Sequence, residues 1–172
     1  MPYTPTFNTF DPRAFVENLL TAIEDQQEEA LAWVAGEDEP LPNIAKFYNS
    51  AAGRLTTVFP VLMVTNHSAA QKTEDTLEVA MSVDFELMIS GGNPDILTSK
   101  ALDYSYMLTS ILQNTRPKSL STTAVAFNGY LDTLETEFSV LRGLNGSSSS
   151  FLQIVQYRAI WILTASAFTS AN

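Results

Sequence analysis

The chain has 172 residues, a length that suits one domain with a core of its own. It carries a net charge of −10, from 9 Lys plus Arg against 19 Asp plus Glu, and it has no cysteine. Disulfides, thiol redox chemistry and thiolate metal sites are thereby excluded, and the dispersed basic residues form no stripe for phosphates, so the surface repels nucleic acid and anionic membranes.

No run of about 20 apolar residues is present to span a bilayer. The start, MPYTPTFNTFDPR, lacks the basic flank and apolar centre of a signal peptide. Residues 1–10, with Pro2 and Pro5, read as an extended arm, either disordered or laid on a neighbour. Residues 11–166 read as a single α+β domain, and 167–172 as a polar tail.

Asp11-Pro12 reads as the cap and first turn of a helix running to about Val34. Val16, Leu20, Ile23, Ala30, Leu31 and Val34 share one side of it. Glu17, Glu24, Asp25, Glu28 and Glu29 gather on the other, a solvated face by default and a wall facing a channel or partner in the sharper reading. Gly36 to Pro42 ends the helix, and residues 43–54 are ambiguous, with one helical turn as an option. Thr57 to Thr65 is β-branched and predicts a strand, with Pro60 placing it at an edge or a bulge. Asn66 to Glu74 is polar and reads as a long hairpin tip.

Thr76 to Ile89 alternates apolar with mostly polar residues. Leu77, Val79, Met81, Val83, Phe85, Leu87 and Ile89 fall on one side, and Glu78, Asp84 and Glu86 fall on the other. Side chains alternate faces along a strand, so this predicts a central strand with one buried face. Ser90-Gly91-Gly92-Asn93-Pro94 stops it, with Asn93 capping the next helix. Leu97, Ala101, Tyr104, Leu108 and Ile111 recur at helical spacing, so that helix covers the sheet. Asn128-Gly129 reads as a turn. Tyr130 to Arg142 is a strand, Gly143 to Ser150 a flexible connection, and Phe151 to Ala165 a closing strand with apolar residues on both faces. Its fifteen residues at about 3.3 Å each reach roughly 50 Å. The hairpin is therefore expected to outrun the domain that anchors it. The fold class is α+β: an antiparallel or mixed sheet of about four strands with a long C-terminal hairpin, flanked by two main helices.

Residues with chemistry are few. His67 is the sole histidine, sits in a polar tip and has no Gly-x-Ser-x-Gly elbow near it, so it reads as exposed and non-catalytic. Glu78, Asp84 and Glu86 can bind Ca²⁺ or Mg²⁺ or act as paired acids, but no flanking motif supports either use. Gly91-Gly92 lacks the rest of a phosphate-binding pattern and reads as turn geometry. Tyr104, Tyr106, Tyr157 and Trp161 read as core or interface. No catalytic, cofactor-binding or metal residues are assigned.

Three segments, FPVLMVT (59–65), DTLEVAMSVDFELMISGGNPDILTSKALDYSYMLTSIL (75–112) and SVLRGLNGSSSSFLQIVQYRAIWILTA (139–165), together resemble the tail-terminator and neck proteins of tailed bacteriophages, over roughly residues 11–165. The resemblance implies a non-enzymatic virion protein that needs no cofactor and is assembled in the host cytoplasm. It implies a ring, a hexamer, that caps the tail tube, meets a head-side connector or stopper protein, and lets genome DNA pass without specific binding. On that reading Arg142, Gly143, Asn145, Gly146 and Phe151 touch the tube or a neighbouring subunit, and acids among Glu17, Glu24, Glu28, Glu78, Asp84 and Glu86 line the lumen. Competing expectations are a stopper or connector adaptor, a small carboxylate- or metal-dependent hydrolase, and a monomeric ligand-binding domain.

Overall fold

The alternating stretch forms a strand at the middle of a five-stranded sheet ordered β1-β2-β3-β5-β4. The computed structural model describes residues 12–35, 41–51, 58–71, 78–117, 127–142 and 150–165. In chain order these give α1 (Pro12–Ala35), β1 (Lys46–Tyr48), β2 (Val61–Gln71), β3 (Glu78–Gly91), α2 (Pro94–Asn114), β4 (Phe127–Arg142) and β5 (Phe151–Ala165). The expected arm at 1–10, the cap at Asp11, the loop at 36–40 and the tail at 167–172 lie outside the described residues.

The sheet is antiparallel except where β1 runs parallel to β2. Both helices pack on one of its faces. Met81, Val83, Phe85, Leu87 and Ile89 of β3 meet Val155, Tyr157, Ala159, Trp161 and Leu163 of β5 under them. From α1 come Phe15, Val16, Leu19, Leu20, Ile23 and Leu31, and from α2 the predicted series Leu97, Ala101, Tyr104, Leu108 and Ile111. Phe15 meets Trp161 edge-on, with ring centroids 5.4 Å apart. This two-layer arrangement buries one sheet face and one stripe of each helix.

The ends of α2 follow from its flanking residues. Asn93 Oδ1 accepts from the backbone N–H of Asp95 at 3.0 Å and of Ile96 at 3.4 Å, and Pro94 opens the first turn. Thr115 leaves helical geometry and closes the last turn onto Ile111. Two further contacts tie residues 41–45 to the helix layer. The Gln27 side chain accepts from the Ile44 N–H at 2.7 Å, and the Tyr104 hydroxyl donates to the Pro42 carbonyl.

One ambiguous stretch resolves and three expectations need correction. Residues 46–48, within the ambiguous 43–54, form the strand β1 and no helical turn. Its pairing with Val61 to Met63 supplies the bonds that a helix would otherwise make internally. The second strand starts after Pro60, which follows a cis peptide bond, and continues through the supposed hairpin tip to Gln71. Pro60 has no N–H for the ladder, whereas the polar run is held by β3 from Asn66↔Asp84 to Gln71↔Val79. Asn128-Gly129 is not a turn but part of β4. Gly129 has φ +153°, and a Cβ there would fall on the Ile162 carbonyl oxygen, so the glycine permits close approach of β5. Lastly, β5 does not outrun the sheet. It pairs with β3 from Phe151↔Gly91 to Thr164↔Glu78 and with β4 from Phe151↔Arg142 to Ala165↔Phe127. Three strands of similar length make a long strand an interior one.

Candidate functional site

The face of the sheet away from the helices holds a small apolar cluster at one end and a polar groove beside it. The cluster is Val61, Met63, Met88 and Leu152, with Tyr48, Phe59 and Ile154 against it. The groove has a volume of about 520 Å³. It arises from cross-strand register. Met63, Glu86, Gln156 and Glu137 form one row across β2, β3, β5 and β4, and Asn66, Asp84, Arg158 and Glu135 form the next.

In the second row Arg158 Nε donates to Asp84 Oδ1 at 2.9 Å, and Asn66 Nδ2 donates to Asp84 Oδ2 at 3.4 Å. The hydrogen bond and charge of Asp84, with a smaller contribution from Glu135, raise the Arg158 pKa, so the guanidinium stays charged. In the first row Gln156 Nε2 donates to Glu86 Oε1 at 2.8 Å. Glu86 is only 4% exposed, unlike a solvated strand acid. Asp84, Glu86, Glu135 and Glu137 thus line one groove with Arg158, which bonds Asp84 and feels the charge of Glu135. Among the described residues no three His, Cys, Asp or Glu side chains are grouped to hold a metal ion.

The structure divides the six acids suggested for a lumen. Asp84, Glu86 and Glu78 follow the even positions of β3 on the uncovered face. Glu17, Glu24 and Glu28 are exposed on α1, in the helix layer on the other side of the sheet. One wall cannot contain both sets. The groove also draws in Glu135, Glu137, Gln156 and Arg158, which sequence reasoning left without a role. The signal was the i, i+2 spacing of Glu135 and Glu137 on a strand, which puts both on one face.

Of the suggested interface residues, Arg142 ends β4 opposite Phe151, which is half-buried against the main core. Gly143, Asn145 and Gly146 lie outside the described residues. His67 is exposed on β2, on the helix side, beside a recess of about 340 Å³ lined by Arg13, Val16, Glu17 and Asn49. Tyr104, Tyr157 and Trp161 are buried, whereas Tyr106 is exposed and stacks on Trp33 at 5.5 Å. No helix is long and apolar enough to cross a membrane among the described residues.

No protein-family model and no curated protein matches this chain. Among solved structures, a chain from the virion of a native gene transfer agent particle is similar to it, with TM-score 0.41 and 10% identity over 86% of this chain and 97% of that one.

Proposed function

We propose that the chain is a structural virion protein of a tailed bacteriophage: a tail terminator that forms a hexameric ring, caps the tail tube and joins it to a head-side connector or stopper protein. The observation that carries this reading is a sheet that, among the described residues, is covered by helices on one side only. Its other face presents four carboxylates, Asp84, Glu86, Glu135 and Glu137, in two adjoining cross-strand rows with Arg158 and Gln156. Such a face suits the wall of a passage: Asp84, Glu135 and Glu137 would repel the phosphates of genome DNA and let it move without binding. The resemblance in residues 59–65, 75–112 and 139–165 supports the same assignment. Asp84 and Glu86 are engaged by Arg158 and Gln156, an arrangement that suits a fixed wall better than a hydrolase, whose acid and base must be left available to substrate.

The test is capping. Purified protein added to polymerising tail-tube protein should halt elongation and appear as a ring at one tube end in electron micrographs. Tubes of unchanged length distribution with bare ends would overturn the terminator role. Binding to portal protein in place of tube protein would mark a connector adaptor.

A further inference from the structure

We infer that successive copies of this chain join head to tail through their sheet edges, with β4 of one copy adding to the free part of β2 in the next, and with Phe138 seated beside His67 of that neighbour. The inference deepens the ring reading by naming the surfaces that close it.

Among the described residues both edges of the sheet are open. β4 is 16 residues long and is paired only on its β5 side among the described residues. It contains neither proline nor lysine, and its register shift, between Leu131 and Thr133, lies before residues 134–139. At the other edge β1 covers β2 only from Val61 to Met63. Asn66 to Ala70 are all exposed.

Strand direction permits the junction. From β2 through β3 and β5 to β4 every neighbour is antiparallel, so β4 runs opposite to β2. A head-to-tail repeat preserves strand directions, and β4 then meets the next β2 antiparallel, continuing the alternation. Such heterologous contacts close into rings when the rotation allows.

Charge selects this pairing over its rivals. A two-fold contact of β4 with β4 would bring Asp132, Glu135 and Glu137 against the same acids, and like charges across a ladder are destabilising. The free part of β2, residues 66–71 (NHSAAQ), has no carboxylate. Shape fixes the register. Phe138 pairs with Val155 on the helix side of the sheet, yet is 42% exposed because the helix layer leaves it uncovered. The recess at His67 lies on that same side of the opposite edge. Setting Phe138 beside His67 pairs residues 134–139 with 66–71. Glu135 then faces Ala70 and Glu137 faces Ser68, and the uncovered acidic faces of successive copies join into one surface.

The cysteine-free chain allows a direct test. The double variant Ser68→Cys/Glu137→Cys, mildly oxidised at high protein concentration, should give a ladder of dimers and larger species on a non-reducing gel. Each single variant alone should stay uncrosslinked, and a mixture of the two should stop at dimers. Adding Phe138→Asp, which circular dichroism should show to be folded, should reduce crosslinking at least several-fold. Crosslinked dimers from Glu137→Cys or Ser68→Cys alone, or a double variant that never crosslinks, would overturn the inference. A ladder from protein that does not cap tubes would keep the edge pairing and remove the terminator role. Capped tubes whose cysteines never link would do the reverse.

Discussion

Asp84 and Arg158 are direct cross-strand partners 74 residues apart, with Nε 2.9 Å from Oδ1. Their pairing fixes the polar row of the groove, but Arg158 is well exposed, so the bond orients side chains more than it stabilises the fold. Arg158→Glu would set a third carboxylate between Asp84 and Glu135. Its thermal midpoint should fall at low salt and recover toward that of the unaltered protein at about 1 M salt, where the screening length is about 3 Å. A salt-independent loss would contradict this account.

Glu86 and Gln156 should behave differently because Glu86 is buried. Gln156→Leu removes the 2.8 Å donor to its carboxylate. The expected cost is about 1–3 kcal/mol in urea unfolding, the range for weakening a hydrogen bond to a buried charged group. Glu86→Gln should cost less, since an amide can be buried without a charge. Equal losses would argue against the assignment.

The two tryptophans report on opposite environments. Trp161 is fully buried and Trp33 is 66% exposed. Acrylamide should quench Trp33 readily and Trp161 hardly at all, as Trp33→Phe and Trp161→Phe would resolve. Trp161→Ala should cost about 3–5 kcal/mol, and Trp33→Ala should lie near the usual small cost of a surface change.

Burial raises the pKa of Tyr157 above its ordinary value of 10.0. Above pH 10 the unfolded chain releases this proton while the folded protein retains it, so stability must fall as pH rises from there toward the folded value. Tyr104 is shifted the same way by burial and adds to the effect. The drop in melting temperature between about pH 9 and 11 should therefore be smaller in Tyr157→Phe than in the unaltered protein. An equal drop in both would refute the contribution of Tyr157.

Gly129→Ala tests the close approach of β4 to β5. The added methyl would meet the Ile162 carbonyl oxygen at a backbone angle that alanine rarely adopts. A loss of more than about 1 kcal/mol is expected, measured by chemical unfolding, and a neutral result would contradict the packing.

The elements legible in the sequence were those whose pattern came from burial against one layer. The odd residues of β3 and the spaced residues of α2 each repeat a period that follows from their own geometry. β5 showed apolar residues on both faces because Leu152 and Ile154 join the second cluster while Val155 and Trp161 join the first. β1 and the far half of β2 were not legible. One is three residues long, and the other is a polar edge whose strand character comes from β3. The groove was half-visible: Asp84 and Glu86 stood out on their own strand, but their neighbours Glu135, Glu137 and Arg158 arrive through long-range register.

β5 follows every other described element in the chain, yet it is the strand on which β3 and β4 both depend. A nascent chain that has emerged only as far as β4 lacks the partner for one whole side of β3. It must hold that side open until β5 has emerged, and such long-range closures are slow. Translation therefore acts as a timer: a chain that stops before β5 cannot complete the sheet, and both the polar groove and the β4 edge wait for that last strand.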